Sequence, residues 1–173
     1  RDQENKAQSL AHEYARPVLK TGLKLGRELG TNPFKFGMIG STDAHTSLAT
    51  ADSDNFYGKF KDSEPSVSRL DNKMGGSLWP NRDLAASGYA AVWARDNTRA
   101  EIYDALARRE VYASSGPRIV VRFFAGWNLP EDLDKAPDVV EQGYALAVPM
   151  GGDLPAAPTD TDGPDFVILA EKD

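Results

Sequence analysis

Two residues offer metal-binding chemistry at a spacing that lets them act together. Asp43 and His45 stand two residues apart in Gly40-Ser41-Thr42-Asp43-Ala44-His45. They follow the short apolar run Phe34-Lys35-Phe36-Gly37-Met38-Ile39. If that run is a strand of a barrel-type fold, its tip places both side chains in one site, where such folds keep their chemistry. A carboxylate oxygen beside an imidazole nitrogen suits zinc, manganese or iron. Such an ion activates water and polarises a substrate oxygen. The competing reading makes Asp43 a turn cap and His45 an ordinary loop residue. The only other histidine is His12, and there is no cysteine. His12 reads as a partly exposed residue of the first helix, beside Glu13. The hydroxyls of Ser41 and Thr42 read as loop-fixing groups, because no base is placed by spacing to activate them.

Other polar side chains are candidates for holding a substrate. Ser115-Gly116-Pro117-Arg118 joins two apolar runs. The Arg118 guanidinium matches the geometry of a carboxylate or phosphate, and Ser115 adds a hydroxyl. The alternative is a tight Gly-Pro turn with Arg118 in a surface ion pair. Lys59, Arg69 and Lys73 lie in a long polar stretch, each either reaching a substrate or solvated. Asp54 and Asn55 fall in the same stretch.

These residues need elements to position them. Residues 5–29 read as a helix with an apolar stripe through Val18, Leu19, Leu23 and Leu25. Pro17 kinks it or takes a first-turn position, and Gly30 stops it. Asn32-Pro33 turns the chain into the strand at Phe34 to Ile39. Residues 46–87 form a long insertion or lid. Gly88 to Ala94 and Glu110 to Ser114 read as strands around a helix started by the capping box Thr98-Arg99-Ala100-Glu101. Ile102, Ala105 and Leu106 give that helix its buried face. Strand, helix, strand suits a parallel α/β arrangement. Another strand runs from Arg118 to Phe124. Tyr144 to Val148 and Phe166 to Ala170 read as strands of a mostly β segment.

Composition narrows the function classes. The 173 residues fit about one domain, 40% are hydrophobic and 27% charged, as in ordinary globular proteins. Twenty basic residues against 26 acidic ones give a net charge of −6. That disfavours nucleic acid and anionic membrane surfaces as partners. No apolar run approaches the ~20 residues that cross a bilayer. The chain begins Arg1-Asp2-Gln3 and stops inside an apparent strand, so both ends are expected to be cut, leaving the compartment open.

Several blocks carry a family resemblance. Phe36-Gly37-Met38-Ile39-Gly40-Ser41-Thr42-Asp43-Ala44-His45 resembles the last metal-binding motif of the PHP (polymerase and histidinol phosphatase) superfamily. Asn32-Pro33-Phe34-Lys35-Phe36-Gly37, Asp54-Asn55-Phe56-Tyr57-Gly58-Lys59, Ala90-Ala91-Val92-Trp93-Ala94, Asn97-Thr98-Arg99 and Arg108 to Arg118 look more closely like the PHP-related "domain of unknown function 3604" family. The likeness covers most of residues 1–125.

The resemblance implies an α/β fold: the C-terminal part of a PHP-like distorted (β/α)7 barrel over residues 1–125, then a β-rich module over 126–173. It implies a multinuclear divalent-metal site with Asp43 and His45 as ligands, and further ligands in earlier motifs that include a His-x-His. No His-x-His occurs here. The implied reaction is hydrolysis of a small anionic phosphoester, with Arg118, Ser115 and Lys59 as candidate substrate contacts. Two rivals stand beside it. One is an amidohydrolase-like enzyme with Asp43 as the base. The other is a non-catalytic barrel scaffold whose β-rich module binds a partner.

Overall fold

The structure is a computed structural model that describes residues 14–47, 59–64, 66–71, 80 and 88–173. The chain divides into two compact units, Arg1–Phe36 and Gly37–Asp173.

The first unit holds helix α1, Ala15–Leu29. Pro17 is its third residue, in the first turn, where a missing N–H costs no intrahelical bond. Gly30 ends the helix in the left-handed region at φ 72°, and its N–H bonds the Gly26 carbonyl at 3.0 Å. Asn32 Oδ1 then accepts from the Phe34 N–H at 2.9 Å, which makes the expected turn. The part of the expected helix before residue 14, with His12, lies outside the described residues.

The strand expected at Phe34 to Ile39 does not form. The only backbone bond within it runs from the Phe36 N–H to the Phe34 carbonyl at 3.2 Å, a local turn. A strand exists by virtue of a neighbour's ladder, and no described residue supplies one. Phe36, Met38 and Ile39 are correspondingly 42%, 52% and 61% exposed.

The second unit contains β1 (Tyr89–Val92), α2 (Arg99–Ala107), β2 (Val111–Ser114), β3 (Val120–Gly126), α3 (Val139–Leu146), β4 (Val148–Pro149) and β5 (Asp165–Glu171). Thr98 starts α2 as expected, its hydroxyl accepting from the Glu101 N–H at 3.3 Å. Ala105 is the fully buried residue of α2, whereas Leu106 stays 42% exposed.

Strands β1 and β2 pair antiparallel, from Tyr89 opposite Ser114 to Val92 opposite Val111. This corrects the parallel arrangement expected from the strand–helix–strand order. The antiparallel pairing extends beyond the strands, because the Trp93 N–H bonds the Glu110 carbonyl at 3.0 Å. Helix α2 is therefore an excursion at the mouth of a hairpin. It turns back through Arg109 at φ 63° rather than crossing over a sheet face.

The other sheet has the order β4-β3-β5, antiparallel throughout. Phe124 on β3, Val167 on β5 and Leu133 form its buried core, with Leu129, Ala136, Val139 and Ala147 around them. The strand expected at Tyr144 to Val148 is instead the end of α3 followed by the two-residue β4. Val139, Gly143 and Ala147 recur every four residues, the spacing of a helical face, and that face meets Phe124. Helices and small antiparallel sheets thus make up the unit, and no closed barrel appears among the described residues.

Candidate functional site

The loop that carries Asp43 and His45 is seated by two glycines. A Cβ on Gly40 would lie 2.4 Å from the Tyr89 carbonyl oxygen and 3.1 Å from that of Ser114. A Cβ on Gly88 would lie 2.2 Å from the Ser41 carbonyl oxygen. Backbone therefore touches backbone where the loop crosses the end of the β1–β2 hairpin, a contact only glycine allows.

Beyond Gly40 the loop is shaped by its own hydroxyls. Ser41 Oγ accepts from the Asp43 N–H at 3.2 Å, and Thr42 Oγ1 accepts from the Ala44 N–H at 3.4 Å. These are the local turns that Ser and Thr favour. Ser41 and Thr42 thus fix the loop, as the sequence suggested. Asp43 adopts φ 54°, a left-handed conformation that Asp tolerates better than most residues.

Asp43 and His45 meet. His45 Nε2 lies 3.2 Å from Asp43 Oδ1. The Lys59 ammonium sits on the other carboxylate oxygen, Oδ2. The His45 N–H also donates to the Lys59 carbonyl at 2.8 Å, so Lys59 holds both residues. The His45 ring packs edge-on to Phe60, with centroids 4.4 Å apart. Phe60 was invisible as a site residue in the sequence. Its position directly after Lys59 was the one available signal.

Charge follows from this arrangement. Hydrogen bonds from Lys59 first and His45 second hold the Asp43 carboxyl below its ordinary value of 3.8. The sign is that of a depressed acid. Whatever Asp43 adds to stability is fully present above 3.8 and is lost as pH falls through the lower folded value. An NMR titration of the Asp43 carboxyl carbon is expected to show a midpoint below 3.8. Lys59→Met should move it up, and an unmoved midpoint would remove the Lys59 contact.

Ser115 and Arg118 stand in the connection between β2 and β3, and the Arg118 N–H donates to Asp173 Oδ2 at 2.9 Å. The candidates Asp54, Asn55 and Lys73, and most of the expected lid at 46–87, lie outside the described residues. Among the described residues no group of three His, Cys, Asp or Glu side chains gathers.

A family model described as "Protein of unknown function (DUF3604)" matches residues 1–173. No curated protein and no solved structure matches the chain.

Proposed function

We propose that this chain, which belongs to the DUF3604 family, contributes metal ligands to a PHP-like hydrolase of small phosphoesters. The observation behind the reading is the 3.2 Å approach of His45 Nε2 to Asp43 Oδ1 on a loop braced at Gly40 and Gly88.

The donor set fits a divalent ion in kind. One carboxylate and one imidazole are borderline ligands of the type zinc, manganese and iron accept. Two ligands do not complete a site, since zinc alone takes about four, and the proposal draws the remainder from elsewhere in the protein. The Lys59 ammonium sits on Asp43 Oδ2 in this structure, so a divalent ion ligated by that oxygen would displace it. A divalent ion held there supplies Lewis acidity, which lowers the pKa of water and steadies charge on a leaving oxygen.

The chain's own groups hold and orient. Ser41 and the left-handed backbone at Asp43 aim the carboxylate. The Lys59 carbonyl and the Phe60 ring fix His45. In this reading Lys59 releases Asp43 to the ion and turns its ammonium to the substrate phosphoryl group. Ser115 and Arg118 are further candidate contacts for that anion.

A substrate panel tests the reaction. Full-length protein would be stripped with a chelator, then given zinc, manganese or iron. It would be assayed on p-nitrophenyl phosphate, p-nitrophenyl acetate and an acyl p-nitroanilide. The expected result is ion-dependent phosphoester hydrolysis that falls on the order of a hundredfold in Asp43→Ala. Preference for the anilide would replace this reading with the amidohydrolase one. Hydrolysis of none of the three would end the enzymatic reading.

A further inference from the structure

A second constellation lies apart from Asp43 and His45 and has no role in the proposed reaction. It is built from β1–β2, β3 and α3. Glu110 is 4% exposed and both its carboxylate oxygens are taken. Arg108 Nε donates to Oε2 at 2.8 Å, and the Tyr144 hydroxyl donates to Oε1. The same hydroxyl accepts from Arg122 Nη1 at 2.9 Å. Burial first, and Glu110 second, push the Tyr144 phenol above its ordinary value, so it stays a neutral link between acid and guanidinium.

The Arg122 guanidinium lies 3.4 Å from the centre of the Trp93 ring. Trp93 is itself anchored by its indole N–H, which donates to the Val121 carbonyl at 2.8 Å. Arg108 therefore neutralises Glu110. Arg122 is held rigidly by stacking and by a neutral phenol, with no carboxylate partner among the described residues. Guanidinium carries five N–H donors, and Tyr144 accepts one of them.

Arg122 opens onto a cavity of about 770 Å³. That size suits a small molecule. Trp93, Ala94 and Pro149 give it apolar wall, while Arg95 and Arg108 beside Glu101 and Asp104 add charges of both signs. We propose that this cavity binds a small molecule bearing one carboxylate, with the carboxylate on the free edge of Arg122 and the apolar body against Trp93 and Pro149. A fixed guanidinium fork is pre-organised for a two-oxygen anion. The inference does not depend on the metal-site reading.

Calorimetric titration of the full-length protein with benzoate, benzamide and inorganic phosphate tests it. Benzamide has the shape of benzoate without its charge. Benzoate is expected to bind about tenfold or more tightly than either of the others. Arg122→Gln should remove that preference, and Arg122→Lys should restore only part of it because it lacks the fork. Should Arg122→Gln fail to fold, Arg122→Lys decides, with full benzoate affinity in the folded variant overturning the proposal. Equal binding of benzoate and benzamide, no heat with benzoate, or full benzoate affinity in folded Arg122→Gln would each overturn the proposal.

Discussion

Phe124→Ala is expected to destabilise the second unit by about 3–5 kcal/mol, the usual cost of emptying a buried aromatic site. Phe124 is 1% exposed and lies at the centre of the core formed with Leu133 and Val167. It sits opposite Val167 in the β3–β5 register and meets Tyr144 edge-on at 5.2 Å between ring centres. Its loss would open a cavity that three elements line at once. Collapse is opposed because β3 is clamped on both sides by β4 and β5. Among the described residues few other large side chains are buried in this unit. At roughly 2–4 °C per kcal/mol for a chain of this size, the melting temperature should fall by about 10 °C. Thermal unfolding followed by far-UV circular dichroism reads it. A drop smaller than about 2 °C would mean that Phe124 is not the centre of the core.

What could be read from the sequence was local. Thr98 and Glu101 are three residues apart, so the start of α2 was decided by neighbours. Gly30 is likewise a one-residue stop, and β5 is a continuous apolar run that its pairing with β3 confirms. The errors concern partners far along the chain. The antiparallel direction of β1 and β2 depends on Trp93 meeting Glu110 across the whole of α2. Tyr144 to Val148 looked like a strand because it is apolar. The four-residue rhythm of Val139, Gly143 and Ala147 carried the helix, and only Phe124 opposite reveals its purpose. Phe34 to Ile39 had the composition of a strand without a described neighbour to make it one.

The candidate site divides in the same way. Asp43 and His45 were legible because their separation is two residues. The Lys59–Asp43 contact spans sixteen positions, and nothing in the spacing announces it. Trp93, Arg108, Glu110, Arg122 and Tyr144 were not legible as a group. They come from the ends of β1 and α2, the start of β2, and from β3 and α3, and each alone reads as an ordinary residue of its segment.

The most direct measurement is metal content by elemental analysis of the full-length protein and of its Asp43→Ala, His45→Ala double variant. The two side chains are 61% and 50% exposed, so their removal costs the local contacts with Lys59 and Phe60 and should leave the buried core untouched. A loss of metal can therefore be separated from a loss of fold by recording circular dichroism on the same samples. Removing the ligands of a divalent site lowers its affinity by far more than the roughly 10–100-fold that outer-shell changes cost. Metal ligation by Asp43 and His45 predicts bound divalent metal in the wild type and less than about a tenth of it in a folded double variant. Equal metal in both proteins, or none in either, would contradict it and leave Asp43 and His45 as parts of a braced loop.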